Sequence, residues 1–273
     1  MLLIIEALLL ILAALGQNYR AADEGQIFPL DMVPNSVDDQ YKGCTEKMAN
    51  LVRTKYLKKE LSNSDTFRNA WETGLKNVSQ NFRSTLKKDH KVAIWVYTDP
   101  QSKIYVKFNN DTRNDKQNYT VETYKWYSLH FLLTDAIQIL KKKQHKQKNT
   151  CFKTFRGTNV KFNGHVFTDI RFGSFTSSSI YYRRAQSFGN VSCFEIYTCE
   201  GANITKYSRT PYEGEVLIPP YEMFNVIAVK KKAVQPNLLC ETVFVLNSTG
   251  IRSDLNCALC KKPTKTIKYY GLH

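Results

Sequence analysis

The 273-residue sequence holds no apolar run of 18 residues, so nothing in it reads as a ready membrane-spanning helix. Glycine (12) and proline (8) are scarce, which excludes a collagen-like or low-complexity chain. Five histidines leave little material for a His-based metal cluster. There is no GxGxxG after a strand, no GxxxxGK[ST], no GxSxG and no HExxH, so the usual dinucleotide, P-loop, serine-hydrolase and zinc-protease signatures are missing. Acidic residues are also short, 24 Asp+Glu against 39 Lys+Arg, for a formal charge of +15. Seven cysteines are too few for a small disulfide scaffold but suit a few bridges on a real core. The lone Cys-x-x-Cys, Cys257 to Cys260, has no partner pair. In an exported chain it reads as part of the disulfide set rather than as a zinc site.

What is present is globular. Apolar residues make up 42%, with 16 Tyr and 15 Phe, enough to argue against disorder. The length suits one large domain or two small ones. Leu2 to Leu15 is apolar except for Glu6 and ends in small residues around Ala14 and Gly16. That pattern predicts a signal peptide over residues 1–16, although no Lys or Arg precedes the run. Its loss removes one Glu and no base, which takes the charge from +15 to +16. Six Asn-x-Ser/Thr sequons, at Asn77, Asn110, Asn118, Asn190, Asn203 and Asn247, agree with export and predict a glycoprotein. The basic, polar stretch 261–273 lacks a hydrophobic tail, so the expectation is a soluble, secreted protein without a GPI signal or a transmembrane segment.

Residues 17–43 read as polar loop and 45–90 as helices, with Phe67, Ala70, Trp71, Leu75, Val78, Phe82 and Leu86 at helical spacing. Val92 to Thr98 reads as a β-rich run stopped by Asp99-Pro100, and Asn109 to Tyr119 as a polar loop. Thr123 to Lys143 is the strongest helix, with Trp126, Leu129, His130, Leu133, Ala136, Ile137 and Leu140 on one face. After Cys151, short β-rich runs alternate with turns: Cys151–Arg156, Val166–Phe175, Phe194–Thr198, Glu215–Ile218, Phe224–Lys230 and Thr242–Leu246. The expectation is α+β, a helical N-terminal half and an antiparallel β half sharing a core, in one domain over 17–273.

Three segments carry candidate chemistry. Phe155-Arg156-Gly157-Thr158 puts Arg-Gly at the end of a strand. Phe175-Thr-Ser-Ser-Ser179 is a hydroxyl-rich strand. Tyr212-Glu213-Gly214-Glu215 opens the apolar run to Ile218. In extended backbone, residues two apart share a face, so Glu213 and Glu215 would converge on one small volume. Paired carboxylates suit glycosidic-bond cleavage, one stabilising an oxocarbenium-like centre and the other handling a proton. Singly, each segment is ordinary: an exposed Arg, a solvated Ser face, a soluble Glu pair.

In this order and together, they resemble the ecto-ADP-ribosyltransferases, the arginine-specific mono-ADP-ribosyltransferase family of the Arg–Ser–Glu-x-Glu type. The likeness extends to Leu30 through Tyr41 with Cys44, to the helix with His130 and Leu133-Thr134, to Glu213 through Pro220, and to Ser253 through Cys257. It implies a helical N-terminal half packed on an antiparallel two-sheet β core, with NAD as co-substrate and no metal. It implies that Arg156 holds the NAD phosphate–ribose region and that Gly157 lets the backbone approach the nicotinamide amide. Ser177 would position the cofactor and the catalytic carboxylate, Glu215 would be that carboxylate, and Glu213 would admit arginine as acceptor. Phe188 is the candidate nicotinamide-stacking ring, and Tyr212 shapes the acceptor loop. Gly214 departs from the polar residue expected between the two glutamates and would loosen that loop.

The resemblance also implies the disulfides Cys44–Cys257 and Cys151–Cys199. Cys193–Cys240 is then a candidate third bridge that leaves Cys260 free. The expected reaction is transfer of ADP-ribose from NAD to arginine side chains of extracellular or cell-surface proteins. The alternatives are an NAD glycohydrolase with water as acceptor and a non-enzymatic basic glycoprotein that kept the fold. The basic charge suits anionic glycans or the NAD pyrophosphate. Nucleic acid is not an expected partner, since no recognition motif is present.

Overall fold

The computed structural model describes residues 27–79, 84–146 and 151–260. The expected signal peptide over 1–16, Phe82 and the basic tail 261–273 lie outside the described residues.

The helical half opens with α1 (Thr45–Leu51), a π turn over Val52–Tyr56 and α2 (Leu57–Asn63). Ser64 then caps α3 (Asp65–Asn77), its Oγ accepting from Phe67 N at 3.2 Å. Phe67, Ala70, Trp71 and Gly74 form the buried stripe of α3, the i, i+3, i+4, i+7 spacing of an amphipathic helix. The helix stops at Asn77, so Leu86, although buried, lies beyond it.

Two expectations are corrected here. Val92 to Thr98 is not a strand: α4 spans Lys88–Tyr97. Every residue from His90 to Tyr97 is buried, so no exposed polar face marks a helical period, while its Val and Ile content mimics a core strand. The stretch Asn109 to Tyr119 is not a loop but α5 (Ile104–Asn114) followed by α6 (Lys116–Thr120). Their buried stripe is thin, Ile104, Phe108, Asp111, Thr112 and Tyr119, and surrounding polar residues hide it. The strong helix is α7 (Tyr127–Lys146).

Among the described residues there are ten strands: β1 (Ile27–Pro29), β2 (Phe152–Thr158), β3 (Lys161–Asn163), β4 (Asp169–Arg171), β5 (Thr176–Ser179), β6 (Ser192–Thr198), β7 (Ala202–Asn203), β8 (Glu215–Ile218), β9 (Glu222–Lys231) and β10 (Thr242–Ile251). A short helix, α8 (Tyr182–Ala185), interrupts the β half. Eight strands make one sheet in the order β4-β9-β10-β6-β2-β5-β8-β7, and β1 pairs with β3 in a second. The fold is α+β and its large sheet mostly antiparallel, but β6–β10 and β1–β3 are parallel pairs.

Helices and sheet meet in one buried cluster, where Phe175, Leu217 and Leu255 join Tyr41, Phe108, Trp126 and Leu133. A second cluster, with Phe194, Phe224, Val226 and Phe244, packs against the other strands. The segment before α1 is tied to the end of the chain. Asp38 and Arg171 form a fully buried ion pair at 2.6 Å, and Asp38 also accepts from the backbone N–H groups of Asp254 and Leu255. Disulfides join Cys44 to Cys257, Cys151 to Cys199 and Cys193 to Cys240, and Cys260 is free.

Candidate active site

The sheet order sets the three motif strands side by side as β2-β5-β8. Phe155 stands opposite Ser179, and Ser179 opposite Glu215, while Ser177 faces Leu217. Arg156 on β2 donates through Nη1 to the Ser177 carbonyl at 2.6 Å. Burial lowers the pKa of this guanidinium, and Tyr97 and Glu215 oppose the shift. Glu215, the first residue of β8, is 4% exposed. Burial pushes its carboxyl up to about 7, with hydrogen bonding from Ser177 and Ser208 pulling the other way and the Glu213 charge adding to the rise. Ser208 Oγ lies 3.3 Å from Glu215 Oε2.

Glu213 and Glu215 do not lie on one extended strand, which corrects the same-face expectation. Glu213 ends a 3₁₀ turn over Pro211–Glu213, Gly214 takes the left-handed conformation at φ +58, and β8 starts only at Glu215. Proline at the start of the turn presets its φ, and a left-handed residue closes it. Gly214 does not loosen this loop. A Cβ there would sit 2.5 Å from the Tyr181 ring and 2.9 Å from Ile180 Cγ1, and the Gly214 carbonyl accepts from Ile180 N at 3.0 Å. The turn is pinned again by Ser179 Oγ, which donates to the Glu213 carbonyl at 2.6 Å. Both glutamates still border one small cleft, together with Ser177, Ser178, Ser179 and Phe188.

The looser assignments fall around this cleft. Phe188 ends a short 3₁₀ turn and is 38% exposed. Tyr212 is 61% exposed, with the Arg184 guanidinium 5.3 Å from its ring centre. Gly157 is needed for packing within the chain: a Cβ would lie 2.2 Å from the Gly189 carbonyl oxygen and 2.3 Å from that of Ala185. The segment bearing Phe188 therefore rests directly on β2.

Residues that carried no motif complete the site. Tyr97, at the end of α4, donates its hydroxyl to the Phe175 carbonyl at 3.1 Å and accepts from Asn109 Nδ2 at 3.1 Å and Ser177 Oγ at 3.4 Å. Burial pushes its pKa up to about 12, so it stays a neutral donor. Arg113 on α5 donates to Ser174 Oγ at 2.7 Å. A strand reading of 92–98 and a loop reading of 109–119 hid all three from the sequence. Among the described residues no group of three or more His, Cys, Asp or Glu could hold a metal. The sequon asparagines are exposed except Asn203, which is half-buried on β7.

A buried carboxylate, a braced arginine and a serine between them stand on three adjacent strands. The chain belongs to the NAD:arginine ADP-ribosyltransferase family, whose sequence profile matches residues 30–242. It is 33% identical over 246 residues to the chicken erythroblast NAD(P)(+)–arginine ADP-ribosyltransferase, covering 85% of this chain and 76% of that one. To human ecto-ADP-ribosyltransferase 4 it is 33% identical over 270 residues, covering 94% and 81%. The crystal structure of a point mutant of the eukaryotic mono-ADP-ribosyltransferase ART2.2 in complex with NADH superposes with a TM-score of 0.70 at 30% identity, covering 84% of this chain and 98% of that one. Family and fold are those of NAD-dependent arginine ADP-ribosyltransferases. No described helix is long and apolar enough to cross a membrane.

Proposed function

We propose that this chain acts outside the cell as a mono-ADP-ribosyltransferase that moves ADP-ribose from NAD to arginine side chains of proteins and releases nicotinamide. The observation that carries this reading is the adjacency of Arg156, Ser177 and Glu215 on β2, β5 and β8, with Glu213 one glycine away. The donor set suits NAD. A guanidinium serves a pyrophosphate–ribose unit, serine hydroxyls serve ribose, and the partly exposed Phe188 ring offers a face for nicotinamide. Three disulfides and the exposed sequons support action on the extracellular side.

The chemistry follows from charge. When the bond between ribose C1′ and the nicotinamide nitrogen breaks, its electron pair leaves with nicotinamide, which becomes neutral, and C1′ gains positive charge. A fixed Glu215 carboxylate beside the ribose favours that charge. Arg156 braces the carbonyl of Ser177 and so sets the strand between the two charged groups. The acceptor guanidinium, protonated in water, is a poor nucleophile. Glu213 orients it and takes the proton released as its nitrogen bonds to C1′, a step the family resemblance makes an inversion at that carbon.

Incubation with labelled NAD, with and without agmatine, tests the reading. Label on agmatine is the expected result. Free ADP-ribose alone would make the chain a glycohydrolase, and no turnover would make it a non-enzymatic relative.

A further inference from the structure

Two hydroxyls meet the Glu215 carboxyl, and their protons are committed differently. Ser177 Oγ on β5 is within reach of both Glu215 and Tyr97 Oη, the latter at 3.4 Å. Tyr97 gives its own proton to the Phe175 carbonyl, so toward Ser177 it can only accept. A serine has one proton to donate, and at Ser177 two acceptors share it. Ser208 is placed otherwise. Its Oγ lies 3.3 Å from Glu215 Oε2, accepts from Thr210 N at 3.1 Å and meets Thr210 Oγ1 at 3.3 Å. With the Thr210 amide and hydroxyl filling its acceptor sites, the Ser208 proton is left for Glu215.

Ser208 sits in the connection from β7 to the 3₁₀ turn at Pro211, and that connection is clamped to the helical half. Ser208 N donates to the Ile204 carbonyl at 3.0 Å. The next residue, Arg209, donates its backbone N–H to Thr98 Oγ1 at 2.9 Å. Its guanidinium pairs with the buried Asp99, donates to Gln101 Oε1 at 3.0 Å and lies 4.7 Å from the centre of the Trp95 ring. Trp95 belongs to α4, and Thr98 and Asp99 directly follow it. A planar guanidinium held by a carboxylate, an amide and an aromatic face has little freedom. The end of α4 therefore fixes a hydroxyl against the first residue of β8.

Taking Glu215 as the carboxylate that faces the ribosyl cation, the reading proposed above, we infer that Ser208 is a positioning residue: its hydroxyl holds Oε2 of Glu215 in one orientation and leaves Ser177 free to turn to NAD. The last torsion of a glutamate side chain is broad, so a carboxylate without a fixed donor presents its charge to C1′ only part of the time. Burial is the main influence on this carboxyl. Glu213 in the turn raises its pKa further, whereas Ser177, Ser208 and the Arg156 guanidinium on β2 lower it, and Tyr97 on α4 is neutral.

Two readouts test this. Carbon-13 NMR of protein labelled at the glutamate carboxyl carbons follows Glu215 without any turnover, its resonance identified by its loss in Glu215→Gln. Ser208→Ala removes a donor that favours the ionised form. The titration midpoint should move up from about 7 by about one unit, tenfold in proton affinity, as a hydrogen bond to a charged group is worth. Ser208→Thr keeps the hydroxyl and should restore the parent midpoint. The second readout is NAD turnover at pH 9, above both midpoints. There Ser208→Ala should lower kcat about tenfold with little change in KM for NAD, and Ser208→Thr should recover most of the loss. An unmoved midpoint, an unchanged kcat at pH 9, or equal losses in Ser208→Ala and Ser208→Thr would overturn the positioning role. A parent protein that turns over no NAD would instead overturn the proposed function, and the titration would still show whether Ser208 holds Glu215.

Discussion

Replacing Glu215 by Gln should make the protein more stable and nearly inactive, and the two effects have one cause. The carboxyl is 4% exposed, and burial pushes its pKa from 4.5 to about 7. In the unfolded chain it ionises near the lower value. Between the two values the folded protein therefore holds a proton that the unfolded chain has released, so stability falls as pH rises through this window. Above pH 7 the penalty is complete, and a shift of this size corresponds to ~3 kcal/mol. Glutamine keeps the shape and can still accept from Ser208, but carries no charge to desolvate. At pH 8 the variant should melt several degrees above the parent, at about 2–4 °C per kcal/mol for a chain of this size. At pH 4.5 the two curves should converge. Transfer to agmatine and NAD hydrolysis should both fall by about 100-fold or more, the loss expected for a preorganised charge facing a cationic transition state. Thermal unfolding at pH 4.5, 6 and 8 beside NAD turnover gives both readings. A variant no more stable than the parent at pH 8 would refute the account of Glu215 as a carboxylate held ionised at a cost. A fully active variant would refute its role.

The same carboxyl sets a pH profile: if the ionised form works, kcat/KM for NAD rises with pH through about 7 and levels above it, and a profile falling through that range would contradict the assignment. Glu213→Gln should abolish agmatine modification while keeping much of the NAD hydrolysis, measured by separating products; equal loss of both would end the division of labour between the glutamates. Gly157→Ala places a methyl 2.2 Å from a backbone oxygen that no side-chain rotation can clear, so it should cost at least about 1–3 kcal/mol in denaturant melts. An unchanged midpoint would show that the Ala185–Gly189 segment yields.

Much of the site was legible because motif residues are local. Arg156-Gly157, the serine strand and Glu213-Gly214-Glu215 each span a few residues, and the fold had only to bring β2, β5 and β8 together. What escaped came from long-range packing. The buried helix α4 shows no period, since it is buried on every side from His90 to Tyr97, and so Tyr97 could not be placed near Ser177. Asn109 and Arg113 looked like loop polarity because their helix buries few residues. The Glu pair misled in another way. Two-residue spacing fixes a shared face only in extended backbone, and Gly214 at positive φ breaks that backbone between the two.

The segment before α1 holds the chain that leads into β5. Ser36 Oγ donates to the Gly173 carbonyl at 2.8 Å, Tyr97 Oη holds the Phe175 carbonyl, and two residues further on is Ser177. Asp38 anchors that segment through its buried pair with Arg171 at the end of β4. Breaking such a pair by removing one partner costs about 3–5 kcal/mol, because the other charge is left buried. Asp38→Asn should therefore lower stability by that order, while the Cys44–Cys257 bridge still holds the segment in the chain. At a temperature where the variant remains folded, its kcat should fall more than its KM for NAD rises, since a displaced Ser177 misplaces Glu215 rather than removing a group that binds substrate. Equal kcat in parent and variant, with stability lost, would confine Asp38 to holding the fold.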